Sequence, residues 1–304
     1  MKRLFLTLGK VIIILSVMFP PSAVSAAGIA AVQSVNIKPY NNALAGFKSV
    51  CDCKVKSFIV SEMQESDIAE KVKKAKPDVI IAIGIDAFER VRMIKDIPIV
   101  YLMVLNPRTM PSKDNNITGV SMNIAPEKQL KLLKQALPGI KRIGLLYDPA
   151  WTGNFVKKAK LAAPATGIKI IAREIRNSKD YPSLLESMEG EVNAFWMLPD
   201  LTAVTPETVE FLFLCSMKSG VPVITFSDKY LSMGALMSFD IDAYDIGKQA
   251  GEMVKEILSG TGINNIARTD ARKINLTINR RIAKKQGIKI SDEILDKAGV
   301  VNGK

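Results

Sequence analysis

The sequence predicts an α/β fold of two Rossmann-like, doubly wound parallel-sheet lobes joined by a hinge that the chain crosses more than once. Three observations predict it. From Ile29 to Phe226, short β-rich apolar runs alternate with stretches of helical periodicity, and near-continuous apolar strands joined by helices mean parallel strands covered on both faces. The alternation occurs twice, broken once at NPRTMPSKDNNITGVSMNIAP (106–126), which is rich in Pro, Asn and Ser. Finally, the elements after residue 234 are too few for a domain of their own, so they complete the two lobes.

The first pass carries strands at 29–35, 54–60, 78–84 and 97–104, helices at 41–50, 66–75 and 87–94, and a closing strand at 117–122. Right-handed crossovers then wind the sheet in both directions. A helix at 125–137 opens the second pass: Pro126 suits its first turn, Leu130, Leu133 and Leu137 form its stripe, and Pro138-Gly139 ends it. Strands at 142–147, 168–175, 194–198 and 221–226 alternate with helices at 153–163, 181–188 and 205–219. In the last section Asp242 caps a helix with Asp245 three residues on. Ile246, Ala250, Met253, Val254 and Ile257 share one face of it, and Gly260 stops it. A strand at 272–279 and a short basic helix follow. The expected division is a leader at 1–26, a first lobe of 27–121 plus 241–262, and a second of 122–240 plus 263–304.

The leader reads from its own pattern. MKRLFLTLGK is a basic start, VIIILSVMF a short apolar core, and Val24-Ser25-Ala26 a small-residue cleavage site. The apolar stretch is too short to span a bilayer comfortably, so a cleaved, exported, periplasmic or otherwise extracytoplasmic protein is expected. The chain has 304 residues and a formal net charge of +12, of which Lys2, Arg3 and Lys10 lie in the leader. Its cations are spread over helix faces without interleaved aromatics, so nucleic acid is not an expected partner. Among three cysteines, Cys51 and Cys53 flank one residue. An oxidising compartment permits a bridge, the tightness of a Cys-x-Cys ring argues against it, and the sequence leaves the choice open.

Chemistry is conspicuous by what is missing. The chain contains no His, so no Ser-His-Asp triad can form, and zinc has neither His nor a second Cys pair. No Walker A loop, G-x-S-x-G, or G-x-G-x-x-G after the first strand is present. No enzyme activity, metal or cofactor is expected.

Open α/β sheets hold ligands at the carboxyl ends of their strands, and the residues there can be read off. The first lobe offers Tyr40 and Asn41, Gly84 and Asp86, Asn106, and Ser121 near the link. The second offers Asp148, Trp151 and Thr152, then Asp200, then Ser227, with Asp240 at the return crossing. Each has a local alternative: a turn at Asp148, a capped turn at Asp200, helix caps at Asp86 and Ser227. Trp151 either fills core or makes a stacking wall for a ligand.

NITGVSM, PEKQLKLLKQALPGIKRIGLLYDP, LPDLTAVTPETVEFLFLCSMKSGVPVITFSD, the stretch 234–260 and INLTINRRIAKKQGIKI together carry a resemblance. The chain resembles the type I periplasmic substrate-binding proteins of ABC transporters, within them the family whose characterised members take aromatic amino acids. The resemblance covers nearly the whole mature chain and is strongest over 97–290. It implies a monomeric solute receptor whose lobes close on a small molecule, delivered to an ABC permease in the inner membrane. A sensing role beside a membrane signalling protein is the competing expectation, since one fold serves both. The family's Pro-x-x-Asp loop after the first strand is Lys38-Pro39-Tyr40-Asn41-Asn42 in this chain, and its later Asp-Pro is Asn106-Pro107. If the solute is an amino acid, Asp200 is the expected acceptor of its ammonium. Ser121, Ser227 or a helix N-terminus would take its carboxylate, and Trp151 or Tyr40 an aromatic side chain. Asp200→Ala would then abolish binding and leave the stability of the empty protein nearly unchanged.

Overall fold

A computed structural model of the chain describes residues 27–64, 67–105, 107 and 115–301; the expected leader and Asn106 lie outside the described residues. Strands β1 (Gly28–Gln33), β2 (Lys54–Ile59), β3 (Val79–Ile83), β4 (Ile99–Val104) and β5 (Ile117–Ser121) alternate with α1 (Lys38–Lys48), α2 (Ile68–Lys74) and α3 (Ile85–Val91). Next come α4 (Pro126–Ala136), β6 (Arg142–Tyr147), α5 (Gly153–Ala162), β7 (Lys169–Glu174), α6 (Tyr181–Glu186) and β8 (Ala194–Trp196). The second alternation ends with α7 (Pro206–Ser219), β9 (Val223–Thr225) and β10 (Met237–Ile241). The tail adds α8 (Ala243–Leu258), β11 (Thr269–Asp270), β12 (Ile274–Asn279), α9 (Arg280–Lys285), α10 (Asp292–Leu295) and β13 (Gly299–Val301).

Two sheets result. One runs β2-β1-β3-β4-β5-β11, the other β7-β6-β8-β9-β10-β12-β13. The first five strands of each follow the same doubly wound order, with its switch between the first and third strands. β3, β4 and β5 are buried throughout, and β3 and β4, covered on both faces, read as unbroken apolar runs. Each sheet carries a core on both faces. One ladder departs from the expected parallel pattern: β12 pairs antiparallel with β10. It enters from a crossing at the carboxyl ends of the strands, so it must run back toward their starts.

The chain crosses between the sheets after β5, after β10 and after β11. On its return α8 lies against α1, where a Cβ on Gly247 would collide with the Ala43 carbonyl and one on Gly46 with the Tyr244 carbonyl. Two glycines thus let the backbones touch. β11 pairs with β5, and the Thr118 hydroxyl donates to the Ile266 carbonyl at 2.8 Å. Residues 263–271, expected in the second lobe, therefore sit on the first sheet. β11 has only two residues, and no apolar run announces it.

One local expectation changes and one open choice is resolved. Pro39 occupies the first turn of α1, where its fixed φ and missing N–H suit a helix start, so the helix expected at 41–50 begins three residues earlier, at Lys38, and Tyr40 is helical rather than a loop residue. Cys51 and Cys53 are joined; their Cα atoms lie 5.3 Å apart, within the span of a disulfide. Cys215 on α7 carries a free thiol.

Candidate functional site

At the switch of the first sheet, between β1 and β3, the Ser34 hydroxyl accepts the Ala87 amide at 3.0 Å. Gly84, at the start of α3, has φ 91°, and a Cβ there would stand 2.6 Å from both the Ser34 and Tyr40 oxygens. Only glycine meets both demands. Tyr40 is half-buried; burial, then the Asp86 charge, raises its phenol pKa, so it stays protonated and can donate. Asp86 is exposed in the first turn of α3, whose cap is Gly84 rather than Asp86. Asn41 accepts from Gln33 Nε2 at 3.1 Å and donates to Asn36 Oδ1 at 2.9 Å. Tyr40, Asn41, Gly84 and Asp86 thus form one neighbourhood.

The switch of the second sheet, between β6 and β8, is occupied by two carboxylates serving the protein itself. Asp200 is 1% exposed. Its Oδ2 accepts the Asp148 amide at 2.8 Å and the Thr152 hydroxyl at 2.6 Å. Its Oδ1 accepts the Thr202 and Ala203 amides, both at 3.0 Å. Asp148 reciprocates, accepting the Thr202 hydroxyl at 2.7 Å and the Ala150 amide at 2.9 Å. Those two donors hold its carboxyl below the usual range. The expectation that Asp200 presents a vacant acceptor to a solute is corrected: four internal donors fill its lone pairs, and it clasps the loops after β6 and β8. Trp151, on the clasped loop, is 44% exposed, which removes the core-filling reading.

Ser121 is likewise spoken for. Its hydroxyl donates to Asp270 Oδ1 at 2.7 Å and accepts the Asn123 amide at 3.1 Å, tying the first crossing to the third. Beside it, Met103 adopts φ 57° where the β4–β5 register shifts, a bulge that re-aims the chain at the mouth of the sheet. Further along, Arg272 reaches Glu252 at 2.7 and 3.0 Å and Asp245 at 2.9 and 3.1 Å. Lys273 meets Asp242 at 2.6 Å. The second and third crossings are therefore held together by charge.

A cavity of about 150 Å³ opens at the carboxyl ends of β8, β9 and β10, beside Met122–Ile124 of the first crossing and Leu105 after β4. Of the sequence-expected residues, Thr152 and Asp240 line it. Asp240 accepts the Ile241 amide at 2.7 Å, the Asp228 amide at 3.2 Å, and the Ser227 hydroxyl; Ser227 thus serves Asp240 and not a helix cap. Burial, assisted by the Asp228 charge, outweighs these donors and raises the Asp240 carboxyl pKa. The cavity also brings in aromatics the sequence reading missed: half-buried Phe155 and Phe226, Phe155 meeting Trp196 edge-to-face at 5.4 Å between ring centroids and Phe226 meeting Tyr230 in the same way at 5.5 Å. Phe226 directly precedes Ser227 and could have been found by extending the strand-end rule one residue back. Phe155, one turn into α5, gave no such signal.

A larger groove of about 660 Å³ lies at the opposite end of the second sheet, between Leu137–Ile140, Pro222 and Ile288–Asp292. It stands at the amino ends of the strands, away from the switch point. Among the described residues no cluster of three or more metal-ligating side chains occurs and no helix is long and apolar enough to cross a membrane.

A family model for ABC transporter substrate binding proteins matches residues 45–302. The chain is 24% identical over 221 residues to a tyrosine-binding protein of Clostridioides difficile, covering 70% of this chain and 64% of that protein's length. Two solved structures share the fold. A ligand-free, open substrate-binding protein with adhesive properties from Clostridium difficile gives a TM-score of 0.73 at 22% identity, covering 91% of this chain and 100% of that one. An ABC domain in complex with L-Trp from Streptococcus pneumoniae gives 0.62 at 23% identity, with 91% and 100% covered.

Proposed function

The chain belongs to the ABC transporter substrate-binding proteins, and we propose that it is the exported solute receptor of an ABC importer, taking an aromatic amino acid between its lobes. The observation that carries the reading is the cavity at the mouth of the second sheet, where, among the described residues, a single carboxylate, Asp240, shares the wall with Phe155 and Phe226. The tyrosine-binding relative and the L-Trp complex support the choice of solute. Asp200 and Asp148 set the shape of the loops around Thr152 and Trp151, while Tyr40 and Asn41 offer polar groups from the first lobe as it closes. Binding shifts the lobes from open to closed, and the closed form is what a permease in the inner membrane recognises.

Small-angle X-ray scattering of residues 27–304 tests this. Saturating tryptophan, tyrosine or phenylalanine is expected to reduce the radius of gyration. An unchanged profile with all twenty amino acids contradicts the reading.

A further inference from the structure

We propose that Asp240 is the specificity-determining residue of the cavity: it selects a primary ammonium attached to an aromatic group, and a carboxylate on the solute is dispensable for that half of recognition. The inference rests on the receptor reading and deepens it. It assigns a further ligand class to the protein, the aromatic primary amines, beside the amino acids themselves.

Four observations lead there. First, among the described residues lining the cavity, Asp240 alone is ionisable, so the described wall offers a solute an anion and no cation. Second, the two aspartates of this end differ in spare capacity. Asp200 fills four acceptor positions with four protein donors, whereas Asp240 receives three, from Ile241, Asp228 and Ser227. A carboxylate accepts about four hydrogen bonds, so Asp240 keeps room for one more. Third, its partners do not neutralise it. Two are backbone amides, one is a hydroxyl, and the charge that acts on it is that of another acid, Asp228. A half-buried carboxylate without a counter-charge is held at a cost that an arriving cation relieves. Fourth, the rest of the wall suits what an ammonium would carry. Phe155 and Phe226 expose rings to a space of about 150 Å³, a volume that accommodates a benzene ring, and aromatic faces themselves attract cations. The polar groups left, the Asn123 and Gln129 amides, are neutral and indifferent to the sign of the solute.

The test uses three solutes sharing one ring: phenylalanine, 2-phenylethylamine and 3-phenylpropanoate, titrated by calorimetry into the wild-type protein and into Asp240→Asn. Asparagine preserves shape while removing the charge, and circular dichroism with thermal unfolding of the empty variant checks that it folds. The wild type is expected to bind phenylalanine and 2-phenylethylamine and to give no heat with 3-phenylpropanoate. Asp240→Asn is expected to weaken both amines about 10- to 100-fold, the range for loss of a charged hydrogen bond. Binding of 3-phenylpropanoate but not of the amine by the wild type, which needs no variant, overturns the inference. Binding of amino acids that Asp240→Asn leaves at wild-type affinity overturns it while the receptor reading stands. Binding of phenylalanine without binding of 2-phenylethylamine overturns it while the receptor reading stands, and no heat from the amine or from phenylalanine, tyrosine or tryptophan titrated in the same way overturns both.

Discussion

The Asp200 carboxylate, 1% exposed, accepts the Thr152 hydroxyl at 2.6 Å across 48 residues of sequence. This bond, with the Asp148 amide on the same oxygen, closes the switch point of the second sheet from within. Asp200→Ala strands four buried or half-buried donors, and unsatisfied buried donors cost on the order of 1–3 kcal/mol each. We expect a loss of about 3 kcal/mol in the empty protein, read as a fall of roughly 6–12 °C in Tm. A variant melting within a degree of wild type would show that the clasp does not hold the fold.

Arg272 draws the third crossing onto α8 through Glu252 and Asp245, and these partners, Glu252 first, raise its guanidinium pKa further. The pair with Glu252 is largely solvent-exposed, so screening limits it. Arg272→Gln should cost about 1 kcal/mol in urea unfolding at low salt, and the difference from wild type should shrink at 1 M NaCl, where the Debye length is about 3 Å against about 30 Å at 0.01 M. An undiminished difference at high salt would assign the effect to packing of the side-chain stem.

The two kinds of aspartate predict opposite pH behaviour. Asp148 is lowered by the Thr202 hydroxyl and the Ala150 amide. Burial alone would raise Asp242, but Lys273 and the Asp245 amide outweigh it and hold it low. A carboxyl depressed in the folded state contributes stability above its unfolded pKa and loses it as pH falls through the folded one. Asp240 is raised, so its ionisation opposes folding of the empty protein, and that penalty grows as pH rises from the unfolded to the folded pKa. A solute ammonium reverses the preference. Affinity should therefore fall as pH drops through the raised Asp240 pKa, with a proton released on binding below that pKa and proton-neutral binding above it. Calorimetry in buffers of different ionisation enthalpy measures this; an Asp240→Asn variant should show a flat profile, and a flat wild-type profile would contradict the assignment.

Gly247 meets the Ala43 carbonyl where α8 crosses α1. Gly247→Val pushes the helices apart and is expected to cost about 3 kcal/mol, the upper range for overpacking. Chemical denaturation checks it, and an unchanged midpoint would mean that the helices separate freely.

Much of this was legible beforehand. β3 and β4 announced themselves because both faces of each strand are covered, and the capped helix α8 carries Asp242 accepting the Asp245 amide as read. The elements that escaped were those whose signal is tertiary. β11 is two residues held by β5, and β10 is interrupted by Ser238 and Asp240. Strand-end counting found Thr152 and Asp240, yet it could not tell a carboxylate facing a solute from one facing its neighbours. For Asp200 that depends on β6 lying beside β8, a long-range fact that no local pattern encodes.

The measurement that bears most directly on receptor function is thermal unfolding of residues 27–304 with and without single aromatic amino acids. A solute present at about a hundred times its Kd adds roughly 2.7 kcal/mol, so tryptophan, tyrosine or phenylalanine should raise Tm by several degrees. No shift with any of the three, at concentrations up to saturation of a millimolar site, would contradict an aromatic amino acid as the solute.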